Sequence, residues 1–427
     1  MRLLAAMLAV VLSGCAYSMV EKGQLRSHDV RRMLARTAAT RGLPLPEHIH
    51  TQVIHRTELP RLLTQLFYDE WNEQELRDAQ ETLSALGLWP DGIDLLAESI
   101  RLQGDEIAGL YSPPRRTLYI VEGVEAPDVI KAASAMTGRD LFVEFVLSHE
   151  VVHALQHQAF PRLFEVTSGW KDQDDVVFAL HAAIEGDALR YGFEVISPDT
   201  PLPSVDEFVE LQDRNQPEMT AGGTPAVLRQ TLVFPYAAGY PLSIAEGKHL
   251  LARPPVSTEQ ALHPAKRREA FTAIDLTAAH AVLPPGCTLV AENTMGELVI
   301  SILLREFGDS LDANAWEGWD GDRYLVANCA GRRQFVWITM WDTEADASEF
   351  DTAYRTIAKA VQSRAGLDAA PRTSVKATQV VVFTVGLETL ADSIDAHAER
   401  VRVSNLTDLL AAGVGEAGER SSVSGNR

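Results

Sequence analysis

The chain has 427 residues and carries 59 acidic against 38 basic side chains, a formal net charge of −21. A surface this acidic argues against holding a nucleic-acid backbone or an anionic bilayer by charge, and Lys266-Arg267-Arg268 is too short a basic run to make a local exception. The length suits two or three domains rather than one.

Met1 and Arg2 precede an apolar run, Leu3 to Leu12, too short to span a bilayer as a mature helix but laid out as a secretory signal. The run ends in Leu12-Ser13-Gly14-Cys15, which resembles a bacterial lipobox. That resemblance implies removal of residues 1–14, lipidation of Cys15 and anchoring of the exported chain by two acyl chains. Ala16 stands where an inner-membrane retention signal would place Asp. The expected location is therefore the periplasmic side of an outer membrane in a cell that has one, and the cell surface otherwise. No other segment is long and apolar enough for a transmembrane helix. Residues 15–46 read as a tether leading into a helix.

Leu59 to Glu98 reads as helices, with Leu62, Leu63, Leu66 and Phe67 at core spacing and a stop at Leu86-Gly87-Leu88-Trp89-Pro90. Ile107 to Val121 reads as two short strands around Ser112-Pro113-Pro114. An apolar helix-forming segment follows, Phe142 to Leu155, and carries His149-Glu150-Val151-Val152-His153. Histidines four apart lie on one helix face, one turn apart, and both can bind one Zn²⁺ at about 2.0–2.1 Å. Glu150, next to the first histidine, is placed to act as a general base on water. The bland alternative is two ordinary histidines on a half-buried helix. Uncharged residues at 151, 152 and 154 favour the metal.

A catalytic zinc takes three protein ligands and keeps one open position. The third candidate is Glu185, in an alanine-rich helical pattern opened by Asp172, Asp174 and Asp175 as expected caps. Gly186 costs roughly 1 kcal/mol against Ala inside a helix, which close approach to the His149 helix would explain. His157, one further turn along, drifts around the axis and cannot easily close a tetrahedron. His181 shares the face of Glu185 and is a weaker candidate for ligand or pocket residue.

HExxH followed by a helix bearing Glu185-Gly186-Asp187-Ala188 resembles the gluzincin pattern of zinc metallopeptidases, in which the helix-borne Glu is the third ligand. The chain also resembles an uncharacterised group of bacterial envelope lipoproteins from about Leu83 to Tyr354. That similarity runs through Ile107 to Pro113, Phe234-Pro235-Tyr236, Pro254 to Pro264, Gly318 to Tyr324 and Trp341 to Phe350. It implies a zincin-like core, a single zinc, and a peptide or protein substrate. In such a core an edge strand near the metal adds extended substrate to the sheet, and Leu118 to Val121 is the candidate edge. A donor for the oxyanion is also implied. Tyr236, Tyr240, His263 and Tyr191 are the candidates, each with packing as its alternative.

Pro201 to Thr224 reads as loop and Leu228 to Leu251 as helix. From Leu283 the pattern becomes helix Met295 to Phe307, strands Asp322 to Cys329 and Gln334 to Trp341, helix Ala345 to Ser363, strand Gln379 to Val385 and helix Leu387 to Val401. These predict a three- or four-stranded antiparallel sheet with helices on one face. Cys287 and Cys329 lie beside strand-like sequence, and export would permit a disulfide between them. The tail, 413–427, is polar and expected to be disordered.

The expected whole is α+β. A zincin-like metallopeptidase core with N-terminal helices spans 47–275, and a smaller C-terminal α+β domain spans 283–412. The expected activity is peptide hydrolysis in the cell envelope by a membrane-anchored zinc hydrolase. An envelope chaperone on the same fold, or an amidase acting on cell-wall peptide, is the alternative.

Overall fold

The computed structural model describes residues 18–45, 49–210, 223–308 and 315–413. Cys15, the signal segment 1–14 and all but the first residue of the tail lie outside them. The architecture is α+β. In chain order the first half contains the hairpin β1 (Val20–Glu21) and β2 (Gln24–Leu25), α1 (Ser27–Arg41), β3 (His50–His55), α2 (Leu59–Glu70), α3 (Glu73–Ala85), α4 (Leu95–Glu106), β4 (Gly109–Ser112), β5 (Thr117–Glu122), α5 (Asp128–Thr137), α6 (Leu141–Ala159), α7 (Pro161–Gly169) and α8 (Asp174–Ile196). The second half contains α9 (Ala226–Glu246), α10 (Thr258–Leu262), β6 (Phe271–Asp275), α11 (Thr277–His280), β7 (Cys287–Asn293), α12 (Gly296–Phe307), β8 (Trp319–Cys329), β9 (Arg332–Trp341), α13 (Glu344–Ala365), β10 (Arg372–Lys376), β11 (Gln379–Phe383), α14 (Glu388–Ser393), β12 (Glu399–Val403) and α15 (Leu406–Ala411). Among the described residues no helix is long and apolar enough to cross a membrane.

Two compact units divide the chain, and they are interleaved rather than consecutive. The first takes Met1–Phe67, Ile100–Phe164 and Asp187–Phe208; the second takes Tyr68–Ser99, Glu165–Gly186 and Val209–Arg427. The expected boundary near 275–283 falls inside the second unit. The physical reason lies in buried polar links across long sequence distances. Arg323 binds Asp172, the amides of Asp174 and Asp175 donate to Asn293 and Thr294, and Asp175 accepts from Thr258. The start of α8 is thus capped by distant side chains, where local Asp caps were expected.

The first unit holds a three-stranded sheet in the order β3-β5-β4, with β3 parallel and β4 antiparallel to β5. Leu118 to Val121 is therefore central, not the edge expected of it. Leu118 and Ile120 face one apolar cluster and Tyr119 and Val121 another. Cover on both faces explains the unbroken apolar run. Among the described residues β4 is an edge of this sheet, and it runs close to α6. The tether expected over 15–46 is also corrected: Met19, Val30, Met33 and Ala38 are core residues packed with Leu118, Val146, Leu147, Val151 and Leu155. Amphipathic α1 buries that stripe and stops at Gly42, whose φ of 72° suits glycine and whose N–H donates to Ala38 O.

The second unit holds a five-stranded antiparallel sheet, β10-β11-β9-β8-β7, one strand more than the larger of the expected sizes. Its helices cover both faces, not one. Leu325, Ala327, Val336, Ile338, Val381 and Phe383 meet Leu387, Leu390 and Ile394. On the opposite face Trp337 packs edge-on against Phe350 and Tyr354. Cys287 and Cys329 are directly opposed on β7 and β8 and joined by a disulfide. The helix expected over Leu387 to Val401 breaks, because Glu399–Val403 alternates Arg and Val and pairs with β6 instead.

Gly186 does permit a close helix approach, but its partner is α9. A Cβ at Gly186 would lie 2.0 Å from Gly239 O, and one at Gly239 would lie 2.1 Å from Ala182 O. Gly186→Ala should destabilise the protein by about 3 kcal/mol through overpacking against backbone, read as a lowered urea midpoint. An unchanged midpoint would refute the crossing.

Burial pushes Asp175 up to about 7, against hydrogen bonds from Thr258 that favour its charged form. Its folded pKa exceeds the ordinary carboxylate value, so its contribution is fully present below about pH 4 and fades as pH rises toward 7. Glu259, pushed to about 8 by burial, acts in the same direction. Urea stability should fall between pH 5 and 7, on the order of 1 kcal/mol per pH unit. Asp175→Asn should flatten that slope; an unaltered slope would count against the assignment.

Candidate metal centre

Helix α6 starts at Asp140, whose carboxylate accepts from Val143 N. From Val146 to Gln156 it is buried on every side, which its nearly charge-free sequence permits. His149 and His153, one turn apart, bring their Nε2 atoms to 3.1 Å. Glu185 of α8 completes the group, one ligand atom from each residue lying within 4.8 Å of the others. Glu185 is followed by Gly186, the last residue before the division of the chain. The next turn of the same unbroken helix packs Ala188 and Tyr191 on Val152 inside the first unit.

Two imidazole nitrogens and one carboxylate oxygen are the donor set of a catalytic zinc. Ligands about 2.0–2.1 Å from one tetrahedral ion stand roughly 3.3 Å apart, close to the spacing of the two imidazoles. The residues present therefore fit the ion.

Behind His153 runs a polar chain that the sequence pattern did not announce. Its Nδ1–H donates to Gln156 Oε1 at 2.9 Å; Gln156 Nε2–H donates to Asp187 Oδ2 at 2.9 Å; and Arg41 Nε–H donates to the same oxygen at 2.9 Å. A carboxylate only accepts, so it orients the Gln156 amide. The amide oxygen in turn holds the proton on Nδ1 and leaves Nε2 of His153 with a lone pair for a metal. Burial raises the Asp187 carboxyl, while Arg41 and Gln156 pull it back. Asp187 and Gln156 were visible as part of the motif region. Arg41 had no sequence signal, because it lies far upstream.

Glu150 is buried next to His149 on α6. A Cβ at Gly109 would lie 2.4 Å from Val146 Cγ1 and 3.3 Å from Glu150 Cγ, so the glycine lets edge strand β4 run close to Glu150. His157 is outside the ligand group: Tyr111 Oη lies 3.0 Å from its Nδ1 and the Phe164 ring lies tilted against it. His181, half-buried on α8, is also outside it.

The four oxyanion candidates fall in different places. Tyr191 lies under the Arg41 guanidinium, 4.7 Å from its ring centroid, and burial raises its hydroxyl. Tyr236 and Tyr240 lie on α9, the first half-buried and the second fully buried. His263 pairs with Glu297 at 2.6 Å, a bond that raises its pKa and commits the ring elsewhere. His263 thus pairs with α12, and Tyr191 packs under Arg41.

Residues 287–408 match a family described as a domain of unknown function, DUF8575. The match covers β7 to α15 and none of the ligand group. No curated protein and no solved structure matches the chain.

Purified protein should hold about one zinc per chain. His153→Ala and Glu185→Ala should each lose it, and His157→Ala should retain it, by elemental analysis after dialysis. Zinc kept in Glu185→Ala but lost in His157→Ala would reassign the third ligand.

Proposed function

We propose that the protein is an exported, lipid-anchored zinc metallopeptidase with a zincin-like core, hydrolysing peptide bonds in the cell envelope. The observation that carries the reading is the convergence of His149, His153 and Glu185 beside a buried Glu150 on the same helix. A zinc ion held by these three would polarise the scissile carbonyl and make water acidic near neutral pH. Glu150 takes the proton of the attacking water and returns it to the leaving amine. Strand β4 offers an open edge to which an extended peptide can add by main-chain hydrogen bonds, and Gly109 keeps that edge near Glu150. The Cys287–Cys329 disulfide suits an oxidising compartment outside the cytosol. Cys15 supplies the membrane partner, and the acidic surface leaves no role for nucleic acid.

Glu150 is not a ligand in this reading. Glu150→Gln should therefore keep its zinc and its melting temperature while peptide hydrolysis falls about 10²–10⁴-fold. A strain carrying it should resemble the deletion strain. Full complementation at normal protein level would sink hydrolysis, of peptide or other amide, and leave a binding role.

A further inference from the structure

The chain Arg41–Asp187–Gln156–His153 links the metal centre to the first long helix of the protein. Arg41 and Asp187 are almost wholly buried, 6% and 1% exposed. Their pairing is costly to leave incomplete, since a lone buried charge is strongly unfavourable. Yet the pair does not stand apart from the site. Asp187 Oδ2 takes both the Arg41 Nε–H and the Gln156 amide N–H. The Gln156 oxygen takes the Nδ1–H of His153. Each member thus has one orientation compatible with its neighbours, and the last of them aims a ligand nitrogen. Partners of this kind fix the tautomer and ring plane of a metal-bound histidine and raise its basicity.

We propose that Arg41 and Asp187 are positioning residues of the metal centre, acting through Gln156 on His153, so that helix α1 sets how tightly the metal is held. The proposal rests on the metal assignment above. It adds that the N-terminal helix is part of the centre's supporting structure and not only of the core. Tyr191 belongs to the same arrangement, because its ring carries the Arg41 guanidinium and its neighbour Ala188 packs on Val152 of α6.

The test measures zinc affinity of the full mature chain by competition with a chromophoric chelator. Far-UV circular dichroism and urea unfolding of the metal-free forms give a separate reading of the fold. Gln156→Met cuts the chain but leaves the Arg41–Asp187 pair intact, so it should fold and bind zinc about 10- to 100-fold more weakly. Asp187→Asn and Arg41→Lys should weaken zinc in the wild-type background. In the Gln156→Met background they should have little further effect on zinc, because their route to His153 is already cut. Cobalt-substituted Gln156→Met should show a changed visible absorption band, reporting altered ligand geometry. The proposal is overturned if Gln156→Met binds zinc like the wild type. It is also overturned if Asp187→Asn and Arg41→Lys lower stability of the metal-free protein without changing its zinc affinity, or lower affinity equally in both backgrounds. Should Asp187→Asn fail to fold, Gln156→Met and Arg41→Lys alone decide it. Failure of the metal assignment itself reads differently: the unaltered protein would bind no zinc, or His153→Ala would bind it undiminished.

Discussion

A carboxylate taken out of water needs donors directed at it, and Asp187 is the one on which the most depends. It sits on α8 two residues past Glu185, with Arg41 from α1 and Gln156 from α6 directed to it. Three helices far apart in sequence are thereby held to one polar point. The apolar packing around them, Val152 against Ala188 and Tyr191, supplies area but little direction. The buried charge supplies direction, because a guanidinium and an amide satisfy it only at narrow distances and angles. Nε2 of His153, the proposed ligand nitrogen, inherits that constraint through a single side chain.

Much of the site was legible because it is local. HExxH offers two candidate ligands and a candidate base within five residues, and one helical turn brings the two imidazoles together. The Glu185 helix was legible because Ala-rich sequence with a following Gly and Asp stands out. What could not be read were the long-range terms. Arg41 carries no mark that separates it from a surface arginine, and its burial depends on where α8 crosses. His263 and Tyr191 read alike as candidate donors, because their partners Glu297 and Arg41 carry no local sequence signal.

The fold shows the same division. Strands β4, β5, β8 and β9 and helix α13 were predictable from periodicity and turn residues. Sheet order was not, since nothing in Leu118 to Val121 says which strands flank it. The C-terminal strand β12 was misread as helix because Val401 and Val403 fit either pattern, and only pairing with β6 decides between them. The interleaving of the two units also escaped the sequence. It rests on Asp172, Asp174 and Asp175 meeting Arg323, Asn293, Thr294 and Thr258, pairs more than eighty residues apart.

Met19 has no exposed surface, and its N–H donates to Asp140 at the head of α6. On the proposed lipidation of Cys15, four residues would join the lipid to the folded core. Fully extended, they reach about 14 Å, where a tether running to Pro46 would reach about 110 Å. The difference is one of leash length. A molecule on the longer leash would sweep a volume; on the shorter it would ride on the bilayer and meet only what comes to the lipid headgroups.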